Sequence, residues 1–362
     1  GLPSRIGVRH KDLMRVLNIM MARGRGGLEN AALDTHEALT LAGCAVTTVL
    51  NASGEMRARF PQAADVIGFH SPLAWDPTAG FRLKRCLKHR PFDVILAHGN
   101  RAARLAQSLR RQAPLILDCH TTNYSARNMI DDIDGAIVLT QHYRDVMLKA
   151  GMPENKMRLV PNAVRIGPEP QPLPRREPII IGGLGRLVPN KGFDVLLEAL
   201  SILKAERINF HCIIHGVDEQ GHTTAMEDLR DKLGLNDADV TFPGWTTDPQ
   251  TFLRSLDIFC MPSRREVLSI ALLEALSAGR PIICTRVPGL EDVFQDNIEG
   301  LFVDIEDHKG LAEALKQLIT EPTRRETMGH AARERSRRFD IGTIGIELRD
   351  ALQSLCAPNS KA

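Results

Sequence analysis

The sequence predicts an α/β protein built from two doubly wound parallel sheets, one on each side of a proline-dense linker. Three observations carry this reading. At 362 residues the chain exceeds one ordinary core and suits two domains of roughly 150 to 200 residues each. Short apolar runs alternate with helical periodicity through glycine turns, the pattern of βαβ units. The alternation stops where Pro161, Pro168, Pro170, Pro172, Pro174 and Pro178 crowd together, and then restarts. The expected domains are residues 1–165 and 166–340, with the last helix, within 341–362, returning to the first.

In the first half, strand Arg15–Met20 runs into Gly26–Gly27, a helix ended by Gly43, and strand Val46–Leu50. A glycine pair at a strand-to-helix turn lets backbone approach a ligand closely, so Gly26 and Gly27 are candidates for phosphate or sugar contact. Strand Val94–Ala97 ends in His98, and strand Leu115–Leu117 ends in Asp118, Cys119, His120, Thr121 and Thr122. Carboxyl ends of parallel strands are where open sheets bind ligands, which makes His98 a site candidate. Asp131, Asp132 and Asp134 read as helix-start caps rather than metal ligands. Gly135–Leu139 is a buried strand and Gln141–Lys149 a helix.

Beyond the linker, strand Ile179–Ile181 leads into a glycine-rich turn holding Gly183, Gly185, Arg186 and Lys191, then a helix over Phe193–Lys204. Two cations beside free helix N–H groups can neutralise a diphosphate, arginine as a planar fork and lysine as a point charge. Val188 stands where a nicotinamide-type glycine motif needs its third glycine, and no P-loop is formed. Strand Phe210–His215, helix Ala225–Leu233, strand Val240–Phe242, helix Pro249–Leu256 and strand Ile258–Met261 follow. They deliver the stretch Met261–Leu290, in which Glu266 sits in a loop and Glu274 on the helix that Gly279 and Pro281 stop. Two carboxylates flanking a positively polarised helix start suit a ligand with both an anion and hydroxyls, and so suggest a nucleotide sugar. Strands Ile282–Thr285 and Leu301–Val303, then helices Lys309–Thr320, Arg324–Phe339 and Ile341–Cys356, complete the chain.

Composition narrows the function classes. Hydrophobic residues make up 43% and charged ones 25%, and no apolar run approaches the ~20 residues of a membrane-spanning helix. No export signal is read at the basic start. Seven cysteines, odd in number and never spaced C-x-x-C, predict neither a disulfide frame nor a zinc site and point to a reducing cytoplasm. Residues 1–165 hold 23 basic against 14 acidic groups, residues 166–362 hold 23 against 30. The basic half includes the amphipathic stretch Phe81–Phe92, which predicts peripheral contact with an anionic membrane at the inner face of the cytoplasmic membrane. Nucleic acid is not an expected partner, because that stretch lacks stacking aromatics and any known reader motif.

These residues resemble a known family. G-G-L-E near the start, Asp-Val-Ile-Leu-Ala-His, V-P-N-A-V before the linker, G-R-x4-K-G after it, and P-S-R-x-E followed by A-L-L-E-A-x-x-A-G-x-P are similar to the retaining glycosyltransferases of family four. The resemblance implies a GT-B architecture, two Rossmann-like domains facing across a cleft. The donor, a UDP- or GDP-linked sugar, would sit mainly on the second domain, and a glycan or lipid-linked acceptor on the first. It further implies that Glu274 holds the ribose, Glu266 accepts from sugar hydroxyls, and Arg186 and Lys191 stabilise the departing diphosphate. Gly26 and Gly27 would give backbone contact to phosphate, with Gly185 beside the donor. His98 would contact the sugar near its reactive carbon, and the amides of Leu268 and Ser269 would complete the phosphate cradle.

The implied reaction is metal-independent hexosyl transfer with retention, without a separate cofactor, in cell-envelope polysaccharide or lipopolysaccharide synthesis. A nucleotide-sugar epimerase of the same build and a non-catalytic nucleotide-sugar-binding protein are the alternatives. Ala163, the Ile214–Asp218 turn and Val267–Ser269 depart from the family's usual glycine-rich or Pro-Phe-Gly-like residues.

Overall fold

The computed structural model describes residues 13–24, 26–71, 76–120, 130–169, 176–218 and 221–357. The chain separates into two compact units. One comprises residues 1–139, 144–160 and 341–362, the other residues 140–143 and 161–340. Thr121, Thr122, Pro170, Pro172 and Pro174, named above, lie outside the described residues.

The first unit is built on a parallel seven-stranded sheet of order β3-β2-β1-β4-β5-β6-β7. Its strands are β1 (Arg15–Met20), β2 (Ala45–Asn51), β3 (Asp65–Phe69), β4 (Val94–His98), β5 (Leu115–Asp118), β6 (Gly135–Val138) and β7 (Met157–Leu159). Every residue of β4, β5 and β6 is buried, as expected of central strands covered on both faces. The two strands absent from the sequence reading, β3 and β7, are the two edges. Gly68 interrupts one, and the other is only three residues long, so neither carries a sustained apolar run.

The helix Ile341–Cys356 belongs to this first unit. It lies so close to the helix Gly27–Leu41 that a Cβ at Gly345 would fall 2.1 Å from the Ala38 carbonyl oxygen. Arg349 secures the contact by donating to Ala42 O at 2.9 Å. The acidic run before β6 does not cap a helix. Asp134 takes the Arg110 guanidinium at 2.8–3.1 Å and the Leu115 amide at 2.8 Å, tying the starts of β5 and β6 together.

The second unit holds a parallel six-stranded sheet of order β10-β9-β8-β11-β12-β13. Its strands are β8 (Ile179–Leu184), β9 (Phe210–His215), β10 (Val240–Gly244), β11 (Ile258–Met261), β12 (Ile282–Thr285) and β13 (Gly300–Val303). One apolar core runs under it, from Ile181, Leu196 and Leu200 to Ile258, Ile283 and Leu315, all essentially excluded from solvent. The helix expected from Ala225 starts at His222, because the Asp218 carboxylate accepts the His222 and Thr223 amides at 2.8 and 3.1 Å.

Chain order reverses between β1 and β4 in the first sheet and between β8 and β11 in the second. These are the switch points, where loops leaving adjacent strands part and open a crevice. The unit boundary falls at Val160–Pro161 rather than at 165–166, and hydrogen bonds explain it. Val164 N donates to Phe339 O at 2.8 Å, Ser277 Oγ donates to Arg165 O at 3.1 Å, and Asn162 Nδ2 reaches Leu268 O at 3.0 Å. The V-P-N-A-V segment is thereby part of the second unit.

Candidate functional site

In the second unit the sequence-predicted residues gather at the switch point. The loop leaving β8 runs through Gly185 and Arg186 into a single 3₁₀ turn, Pro189–Lys191, and then Gly192. Gly192 has φ of +66°, and a Cβ there would fall 2.0 Å from the Pro262 carbonyl oxygen in the loop leaving β11. No other residue fits, since both the left-handed backbone and the contact demand a missing side chain. The two loops are also bonded directly. Arg264 N donates to Asn190 O at 2.9 Å and Asn190 Nδ2 to Arg265 O at 3.1 Å, while Arg264 forks onto Asp194 at 2.8 Å.

This stitching brings Lys191 against Glu266. Their side chains are only 17% and 11% exposed and form an ion pair, while Ser263 Oγ donates to the same carboxylate oxygen at 2.9 Å. The Lys191 stem lies over Gly185, at ordinary contact distance from where a Cβ would stand. Arg186 is exposed on the same loop. Three residues beyond Glu266, Ser269 is the N-cap of the helix Ile270–Ser277 in extended conformation, and its hydroxyl makes no capping bond. The first amides of that helix are therefore not satisfied by the capping side chain and suit an anion. Leu268 and Ser269 are buried, and Asn162 fixes this stretch through the Leu268 carbonyl. Glu274 is half-buried on the same helix.

The first unit places its candidates differently. Gly26 caps the helix Gly27–Leu41, but its N–H already donates to Glu29 Oε2 at 3.0 Å, so that amide is engaged within the protein. A Cβ on Gly27 would meet nothing within 4 Å, which leaves that side of the turn open. His98 lies at the end of β4 with its side chain wholly enclosed. Both its ring nitrogens have partners within the protein. Its Nε2 lies 2.6 Å from Asn18 Oδ1, and its Nδ1 lies 3.2 Å from His120 Nε2 and 3.3 Å from Asp118 Oδ2.

Burial, partly offset by Asp118 and reinforced by His120, lowers the His98 pKa to about 4. For Asp118, burial is the largest single influence and opposes ionisation. The charge and hydrogen bond of His120, with His98, outweigh it and hold the carboxyl below its usual range. Asp118 and His120 thus join His98 as functional candidates. The signal was a D-x-H at the end of one strand beside a histidine at the end of its neighbour.

Elsewhere in this unit the helix Ala79–Cys86 buries Leu83 and exposes Phe81 (71%), Lys84 and Arg85. Arg82 is instead engaged, lying 5.3 Å over the Phe69 ring and paired with Asp76. Among the described residues no helix is long and apolar enough to cross a membrane.

Known proteins resemble both halves of the chain. Residues 25–167 match the family described as Glycosyltransferase Family 4, and residues 169–335 match Glycosyl transferases group 1. Among curated proteins, the lipopolysaccharide core biosynthesis glycosyltransferase LpsE of Rhizobium meliloti is 31% identical over 161 residues, 44% of this chain and 45% of that protein. LpsD of the same organism is 28% identical over 264 residues, 70% of this chain and 73% of its own length. The matched part of this chain thus spans less than half of LpsE. A crystal structure of Anabaena HepE in complex with UDP-glucose superposes with a TM-score of 0.81 at 18% identity, covering 94% of this chain and 100% of that one. Its fold is GT-B, and the two doubly wound sheets described here share it. With both halves matched, the chain belongs to the family-four glycosyltransferases.

Proposed function

We propose that this chain transfers a hexose or N-acetylhexosamine, with retention of anomeric configuration, from a UDP- or GDP-linked sugar to a glycan or lipid-linked acceptor in envelope polysaccharide or lipopolysaccharide synthesis. One observation carries the reading: the Lys191–Glu266 pair lies at the second sheet's switch point, beside a helix start open to an anion. The relatives' names, both lipopolysaccharide core glycosyltransferases, support the process.

In this reading the donor diphosphate competes with Glu266 for Lys191. Lys191 turns to the phosphate oxygens together with Arg186 and the amides at Leu268–Ser269. Glu266 is then released to accept from sugar hydroxyls. Glu274 holds the ribose, and Gly185 lets the diphosphate approach the backbone. Cleaving the sugar–phosphate bond leaves negative charge on the diphosphate. Preorganised cations and a helix start meet that charge where it develops, so the step asks for no metal at the diphosphate and no further cofactor. Gly27 offers a backbone contact on the first unit, and Gly26 joins it only if Glu29 lets go. His98 acts by anchoring its strand end.

The basic face of helix Ala79–Cys86, with exposed Phe81, Lys84 and Arg85, suits a peripheral contact with anionic lipid at the inner face of the cytoplasmic membrane. Reversing Lys84, Arg85 and Lys88 should abolish binding to anionic vesicles, and unchanged binding removes this part of the reading.

The test of the transferase is turnover of labelled UDP- and GDP-sugars with and without glycan acceptors, the product's anomeric configuration being read by NMR. Acceptor-dependent transfer with retention is expected. Inversion defeats the retaining assignment, and conversion of the donor sugar without acceptor makes the protein an epimerase.

A further inference from the structure

His98, Asp118 and His120 lie within the first unit and, among the described residues, present more buried acceptors than donors. Asn18 sets the imbalance. Its Nδ2 donates to Ala32 O and Thr48 Oγ1, both at 3.1 Å, so its Oδ1 faces His98 and must accept the Nε2 proton at 2.6 Å. A neutral His98 is thereby left with a lone pair on Nδ1, turned toward Asp118 Oδ2 and His120 Nε2. That lone pair and the carboxylate need positive charge or a donor; the ring of His120 offers one N–H at most, and the Cys119 amide, which also favours the Asp118 carboxylate, is shared with Ile137 O at 3.0 Å. Among the described residues, Asp118 Oδ1 is buried without a hydrogen-bond partner. With a side chain only 5% exposed, Asp118 has little access to solvent for compensation.

The spacing fits a metal ion. The three atoms form a triangle with edges of 3.0, 3.2 and 3.3 Å. An ion held at about 2.0–2.2 Å from each of three such ligands separates them by roughly 3.0–3.4 Å. Asn18 also supplies what a ligating histidine usually has, a partner on its other ring nitrogen that fixes the tautomer. Neighbouring parallel strands place two of the three groups, since Met20 of β1 pairs with His98 of β4, which pairs with Asp118 of β5, and His120 follows two residues beyond the end of β5.

We propose that His98 Nδ1, Asp118 Oδ2 and His120 Nε2 form a binding site for a divalent transition-metal ion, held in register by Asn18. Two imidazoles and one carboxylate select a borderline ion such as zinc or cobalt over magnesium, which prefers oxygen ligands. On binding, the His120 proton resides on Nδ1 so that Nε2 can ligate, and Asp118 contributes its existing charge. The site is separate from the proposed diphosphate cradle of the second unit, and the inference does not depend on glycosyl transfer.

The test is cobalt titration of the full chain after chelator treatment. We expect one saturable equivalent with visible ligand-field bands, no thiolate charge-transfer band, displacement by zinc and indifference to magnesium. His120→Ala should weaken binding at least ten-fold, and Asn18→Ala by about ten- to a hundred-fold, as loss of an outer partner does. Failure to bind cobalt, a thiolate band, or unchanged binding in His120→Ala overturns the proposal. If the variants do not fold, imidazole nitrogen NMR of the wild-type chain decides: zinc must shift His98 and His120 while leaving His211 and His215 in place. Any other pattern overturns the assignment.

Discussion

Lys191 and Glu266 are ion-paired although 75 residues separate them, and Ser263 bonds the same carboxylate oxygen. The pairing neutralises both groups in a confined site, so a diphosphate that draws Lys191 away also frees Glu266. In the proposed function, cation and carboxylate serve opposite ends of one ligand.

Lys191→Ala and Arg186→Ala should each lower kcat by about 10²-fold or more, since each removes a charge partner of the departing diphosphate. Steady-state rates at saturating donor check this. Full turnover in either variant refutes that residue's role.

Glu274→Ala should leave the fold intact and mainly weaken donor binding. Calorimetric titration with the nucleotide diphosphate alone measures it, and affinity equal to wild type would remove Glu274 from the ribose.

Asn162→Ala should destabilise the second unit by about 1–3 kcal/mol, the cost of leaving the buried Leu268 carbonyl unpaired. Because that carbonyl sits next to Ser269, KM for the donor should rise in the folded variant. Chemical denaturation and kinetics together separate the two effects.

Gly192→Ala combines a left-handed backbone with a Cβ 2.0 Å from Pro262 O. Backbone conformation alone costs of order 1–3 kcal/mol, and the overlap adds to it. A lowered thermal midpoint with loss of donor affinity is expected; a wild-type melting curve would contradict the close approach of the two loops.

Asp134 is held below the usual carboxylate range: burial opposes this, but the Arg110 guanidinium and the Leu115 amide outweigh it. A depressed folded-state pKa contributes stability that is present above the unfolded value of about 3.9 and lost as pH falls through the folded value. Urea melts from pH 7 to pH 3 should therefore show a steeper acid loss in wild type than in Asp134→Asn.

The second unit's strands and site were largely legible because their signals are local. Apolar runs such as Ile258–Met261, the G-R-x4-K-G loop and the E-x7-E spacing sit within short windows, and parallel strands then carry the loops to a common edge. Edge strands β3 and β7 were not legible, since a strand buried on fewer sides needs no continuous apolar run. The place of V-P-N-A-V in the second unit was hidden too, because the bonds that put it there come from Leu268, Ser277 and Phe339.

The sequence by itself determined two βαβ units, their family, and which cations and carboxylates could serve a nucleotide sugar. Only tertiary structure decided how those groups pair. Lys191 meets Glu266 because Gly192 lets two loops touch, and the Glu29 carboxylate takes the Gly26 amide. His98 is enclosed because β1, β4 and β5 lie side by side, bringing Asn18 and Asp118 to it with His120 just beyond. Propensity and pattern act over a few residues, whereas a site's charge balance depends on groups that only packing brings within 3 Å or so of one another.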